Sequence, residues 1–309
     1  MREPGEPTDR SIPFVDCHHH LWELDRLEYP WLRNPGDPAQ TAITGDYAGL
    51  RVDWPAERYE RDAAGQNVIA TVHVEAACIP EQAVVETRWI DGIAAIHGFP
   101  NALVVFCDLS DDRAAETLES HLATSSLVRS VRSRPDRPAD KAFRRGLRAA
   151  RQFGLSYELS QSPGGLVDGL RLASAMPDLD IVLGHAGFPR QRDATYHARW
   201  RHEMRALAEA PNVAVKISGL PMADHAWSIE SLRPWILETL DAFGVDRCML
   251  GTNWPVDSLF SSYDRLVDAY RTVLIDARLG VNEQHAVLHA NAERLYRIPA
   301  GVTAKTRPA

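Results

Sequence analysis

Eight short apolar runs rich in β-branched residues, most of them followed by a longer amphipathic stretch, constrain this chain more than any other feature. The runs cover residues 12–17, 68–76, 102–109, 127–133, 155–160, 180–184, 213–217 and 247–251. Helix-patterned segments at 81–97, 113–123, 141–153, 165–175, 197–209, 229–243 and 263–274 follow all but the first run, which leads instead into a long connection. Parallel neighbours in a sheet need a crossover between them, and a helix is the usual one, so this alternation calls for a parallel sheet. Eight units in 309 residues fit a TIM barrel better than an open doubly wound sheet, which is usually built on five or six strands. The rival fold also lacks its phosphate loops: the chain contains no GxGxxG after the first strand, no P-loop and no GxSxG elbow. The expected architecture is therefore an α/β chain forming one (β/α)8 TIM barrel over residues 12–298, with flexible tails at 1–11 and 299–309.

The connection after the first strand, between His20 and Ala64, is rich in Trp, Tyr, Pro and Asp and exceeds an ordinary connector. Leaving the C-terminal end of a barrel strand, it is expected to form a partial lid over the mouth. A net charge of −8 and the lack of a basic stripe argue against nucleic acid or an anionic membrane as partner, since both need positive charge to displace counterions. No apolar run reaches membrane-spanning length and the first residues carry no signal-peptide core, so a cytoplasmic location is expected. Cys17, Cys78, Cys107 and Cys248 are scattered singly, as buried thiols of a reducing compartment would be. What remains is a small-molecule substrate, with a homo-oligomer left open.

The chemistry concentrates at the end of the first strand, in Asp16-Cys17-His18-His19-His20. Side chains two residues apart share a strand face, so Asp16, His18 and His20 are expected to point together into the mouth while His19 faces away. Imidazoles in that arrangement can hold a metal ion or flank a substrate.

Asp16-x-His18-x-His20-x-Trp22, Tyr29-Pro30-Trp31-Leu32, Gly184-His185-Ala186-Gly187, Lys216-Ile217-Ser218-Gly219-Leu220, Gly251-Thr252-Asn253-Trp254-Pro255 and Asn291-Ala292-Glu293-Arg294-Leu295-Tyr296 occur in that order. Together they resemble the amidohydrolase-related (amidohydrolase 2) family that includes L-fuconolactonase, rhamnonolactonase and 2-pyrone-4,6-dicarboxylate lactonase. The resemblance spans residues 13–298. It implies that His18, His20 and His185 line the site as metal ligands or as contacts to substrate and water. It also implies that Glu75, Arg132, Trp22 and Lys216 meet the substrate, Arg132 through a planar fork suited to a carboxylate or lactone carbonyl. One divalent metal, zinc or manganese, or none, is compatible with it. Strand four offers no inward lysine, strand five reads Tyr157-Glu158-Leu159-Ser160 without a histidine, and only Glu75 or Glu158 could add to the imidazoles.

One departure stands out. The lactonases usually carry GSDWP at the end of strand eight, with the aspartate as general base, whereas this chain has Asn253 there. An amide takes up no proton at neutral pH. Asp257, four residues on, is a candidate replacement, and His185 or His18 could equally take the water's proton. The expected function is hydrolysis of a lactone or similar cyclic ester or amide. The alternatives are a metal-dependent decarboxylase of the same superfamily and a ligand-binding pseudoenzyme whose base was lost at position 253.

Overall fold

A computed structural model, which describes residues 10–34 and 38–299, contains eight parallel strands hydrogen-bonded in sequence order. They are β1 (Phe14–His19), β2 (Val68–Val74), β3 (Ala102–Phe106), β4 (Val128–Arg132), β5 (Ser156–Leu159), β6 (Ile181–Leu183), β7 (Val213–Ile217) and β8 (Cys248–Leu250). The ring is closed at the mouth, where Asn253 N donates to His18 O and His20 N donates to Trp254 O, both at 2.7 Å. Gly251 sits at this seam: a Cβ there would lie 2.8 Å from the Cβ of His18, so only glycine lets the two strand ends meet.

Three short helices, α1 (Pro30–Arg33), α2 (Pro38–Thr44) and α3 (Ala56–Ala63), occupy the long connection after β1. The outer ring is α4 (Ala83–His97), α5 (Ala114–Thr124), α6 (Lys141–Gln152), α7 (Leu166–Ala175), α8 (Ala194–Ala208), α9 (Ile229–Phe243) and α10 (Tyr263–Asp276). Then α11 (Val281–His285) and α12 (Asn291–Leu295) close the chain. Each β-branched strand buries both faces. Val15, Cys17, Val72, Val74, Val104, Val182 and Met249 fill the barrel with Tyr296, while Phe14, Leu103, Val131 and Tyr157 pack outward against the helices. The expected tails fall largely outside the described residues. Arg10, at the edge of one, donates Nε to Asp268 at 3.0 Å. Among the described residues no helix is long and apolar enough to cross a membrane.

The first correction lies in β1. Its pairing with β2 is irregular between Asp16 and His19, and the alternation of faces shifts there. Asp16 therefore turns outward, away from His18 and His20. Its buried carboxylate accepts hydrogen bonds from Thr252 Oγ1 at 2.6 Å, Thr252 N at 2.9 Å, Tyr59 at 2.9 Å and Tyr263 at 3.1 Å. Burial pushes the Asp16 carboxyl up, and the donors of Thr252 and Tyr59 pull it back. Asp16 thus fastens the β1–β8 seam to α3 and α10 from outside the barrel.

Several histidines are buried as neutral rings. Burial pushes His73 down to about 3 and His121 down to about 4. An unfolded histidine titrates near 6.5, so below that pH the unfolded chain binds protons that the native chain refuses. Their contribution is complete above pH 6.5 and is lost as pH falls. Urea unfolding at pH 6.5 and pH 5 should differ by between about 1 and 2 kcal/mol for each such histidine, the acid sample being weaker. An unchanged urea midpoint between the two would show that these rings are protonated in the native state.

Candidate active site

Three imidazoles meet at the C-terminal end of the barrel. His18 lies 4.4 Å from His185 and 5.1 Å from His20, measured between ring centroids. His20 Nδ1 donates to the carbonyl of Val74 at 2.7 Å, which fixes that tautomer and leaves Nε2 with its lone pair. His185 Nδ1 meets the hydroxyl of Ser218 at 2.8 Å. His18 is 2% exposed, and neither of its ring nitrogens has a partner among the described residues. Burial pushes His20 down to about 3, with Arg132 adding to the effect, and pushes His18 and His185 well below the ordinary range. The mouth thus holds three uncharged imidazoles.

His185 reaches the mouth through unusual backbone. His185, Ala186, Gly187 and Phe188 all have positive φ, between 47° and 70°, forming one left-handed turn after β6. Left-handed residues other than glycine each cost on the order of 1 kcal/mol or more, and surrounding structure must hold them. Trp200 Nε1 does so in part, donating to Ala186 O at 2.7 Å. Asn253, with φ 55°, is a second left-handed residue beside the mouth.

A cavity of about 470 Å³ opens above this cluster. His20, His185, Asn253, Glu75 and Arg132 line it, and so does Arg134, which the sequence reading missed, whereas His18, expected to line it with them, does not. Arg134 stands two residues after Arg132 and so shares its side of the strand end, a spacing signal that was available. The two guanidiniums grip Glu75: Arg134 Nη2 lies 2.6 Å from Oε2 and Arg132 Nη1 3.7 Å from Oε1. Ala77 N also donates to Glu75 Oε2, at 3.0 Å. Two cations against one carboxylate leave this wall positive. Pro30, Trp31 and Ile43 of the long connection roof the cavity, with Trp31 Nε1 anchored on Ala76 O at 2.9 Å. The connection therefore contributes to the mouth, as its length suggested.

Other expected site residues are placed elsewhere. Trp22 is fully buried and donates Nε1 to Val52 O at 2.8 Å, so it braces the long connection and does not line the cavity. Lys216 is also fully buried, with Nζ 2.9 Å from Glu158 Oε1 inside the barrel, below the mouth. Burial of both partners explains why neither is offered to substrate. Asp257 is wholly buried behind Asn253 and accepts from Asn253 Nδ2 at 3.0 Å. Burial pushes its carboxyl well up, and its contact toward the mouth is the Asn253 amide. That contact commits the Asn253 amide nitrogen and leaves its amide oxygen as the acceptor for His20, an interaction that favours the protonated form of the ring. A further carboxyl absent from the sequence reading, Glu86, lies behind Glu75, accepts from Ala76 N at 2.8 Å and is pushed up to about 8, chiefly by burial.

The unpartnered nitrogens of His18 would suit a metal ion, but a catalytic zinc takes three protein ligands. Among the described residues no group of three or more His, Cys, Asp or Glu side chains is arranged to hold one.

The sequence matches the Amidohydrolase family over residues 15–298. The chain belongs to that family. This amidohydrolase is 35% identical over 302 residues to the uncharacterized protein y4mH of Sinorhizobium fredii, covering 93% of this chain and 99% of that one. It is 28% identical over 312 residues to an L-fucono-1,5-lactonase of Burkholderia multivorans, covering 94% and 98%. Among solved structures, an amidohydrolase of Burkholderia multivorans superposes with a TM-score of 0.79 at 27% identity, covering 93% and 99%, and was crystallised with bound HEPES. A second crystal form, at 26% identity, contains bound zinc. The 5-carboxyvanillate decarboxylase of Sphingomonas paucimobilis, at 16% identity and a TM-score of 0.62, shares the fold.

Proposed function

We propose that this amidohydrolase opens a lactone or a closely similar cyclic ester with water, using His20 as general base. The observation that carries this reading is the pairing, in one cavity, of a neutral imidazole of fixed tautomer with a positively charged wall. The likeness to named lactonases points the same way.

With Nδ1 held by Val74, Nε2 of His20 is the atom that can accept a proton from water. The resulting hydroxide attacks the lactone carbonyl carbon. Negative charge then develops on the carbonyl oxygen, where Arg132 stands as a charged donor, the role of an oxyanion site. Collapse breaks the bond between the carbonyl carbon and the ring oxygen, and the proton held by His20 passes to the departing alkoxide. Asn253 stabilises His20 while it carries that proton, which gives an amide at this position a task that needs no titration. The products are one hydroxyl and one carboxylate, and at neutral pH the net reaction releases one proton.

That proton makes the test direct. A panel of sugar and aromatic lactones, followed by pH-stat at pH 7, should show turnover of at least one class. The same preparation treated with a chelator and analysed for metal should keep its rate. Inertness toward every lactone would overturn the hydrolase reading, and loss of activity on chelation with recovery on adding zinc or manganese would replace the side-chain mechanism with a metal-dependent one.

A further inference from the structure

A second cavity, of about 520 Å³, adjoins the mouth on the side of β6 and β7. It lies between α2 and the loops that follow those two strands, and it shares Ile43, Phe188 and Met222 with the first cavity. These three apolar side chains form a waist between two chambers. None of the residues assigned to proton transfer or carbonyl polarisation lines the second chamber.

Its chemistry differs from that of the mouth. Arg190, Asp224 and His225 supply charged and polar groups of both signs, while Phe188 and Pro189 offer apolar faces. The polar part is held in place: Asp224 accepts from Ser231 Oγ at 2.5 Å, and His225 bonds to Met222 O at 3.0 Å while stacking on Phe260 with centroids 4.3 Å apart. The left-handed turn that delivers His185 to the mouth also fixes Phe188 at the waist, 4.6 Å from His185 between ring centroids. Mixed donors and acceptors without excess charge, beside an aromatic face, suit a hydroxylated ring. A long acyl chain would offer none of them a partner.

We infer that the substrate is a two-ring molecule, with a lactone ring in the mouth and a second, hydroxylated ring that passes the waist into this chamber. The inference rests on the lactonase reading and goes further by naming the substrate class.

Glucono-1,5-lactone and cellobiono-1,5-lactone, which carry the same reacting ring without and with a second sugar, separate the two ideas. The disaccharide lactone should show a kcat/KM at least tenfold above that of the monosaccharide lactone. Ala223→Trp and Ala42→Trp each fill the second chamber from a different wall, and neither alanine lines the mouth. Ala42 is exposed, so its replacement tests the chamber even where a bulky residue at 223 disturbs folding. Either variant should cut kcat/KM on the disaccharide lactone by tenfold or more and leave the monosaccharide lactone within twofold. Turnover of the monosaccharide lactone with no preference for the disaccharide, or equal losses on both in the folded variants, overturns the two-ring substrate alone. Turnover of neither by a parent that opens another lactone of the panel also overturns the two-ring substrate alone, while inertness toward the whole panel overturns the lactonase reading and this inference with it.

Discussion

A protein carrying both His18→Ala and His20→Ala is expected to fold as the parent does and to turn over no lactone. The structure separates the two readouts. His18 makes no hydrogen bond through either ring nitrogen among the described residues, so its truncation breaks no polar contact, and His20 loses its bond to Val74 O and its contact with the Asn253 side chain. Both lie at the mouth end of β1, beyond the layers of Val15, Val72, Val104 and Met249 that pack the barrel. Loss of the imidazole that accepts the proton should cost about 10² to 10⁴-fold in kcat, and loss of its neighbour changes the shape of the water site. Circular dichroism and pH-stat rates on one preparation decide the matter. A double variant that is unfolded at ambient temperature would make these histidines structural. One that remains active would move the base elsewhere.

How far the sequence could be read depended on whether a feature carried a period. The strand at Val213–Ile217 and the helix at Ile229–Phe243 were expected residue for residue, because β-branched runs and a 3.6-residue apolar stripe each repeat often enough to be counted. The orientation of Asp16 was not legible. Spacing by two presumes an unbroken strand, and the irregularity between Asp16 and His19 leaves no trace in composition. Nor was the left-handed turn at His185 to Phe188, in which only Gly187 is a residue that favours that backbone. Depth along a strand was equally hidden. Alternation says that Lys216 points inward, yet it does not say whether inward means the mouth or the packed interior.

That last distinction yields the largest expected effect on stability. Lys216→Met keeps most of the side-chain length and removes the charge, leaving Glu158 buried without its cation. Glu158 would retain the hydroxyl of Tyr296, which donates to the same oxygen at 2.5 Å, but the ammonium 2.9 Å away would be gone. Breaking a buried pair from one side typically costs about 3 to 5 kcal/mol, because the orphaned charge pays its desolvation without compensation. Lys216→Met should therefore lower the urea unfolding free energy by that amount. Changing both partners, Lys216→Met with Glu158→Met, should recover most of it, since two apolar side chains of similar volume remove the charge along with its partner. The two single changes would then be strongly non-additive, as contacting residues are. Kinetics must be read on the same samples. A Lys216→Met protein as stable as the parent but with a KM raised tenfold or more would put the ammonium back at the substrate and the barrel interior out of the account.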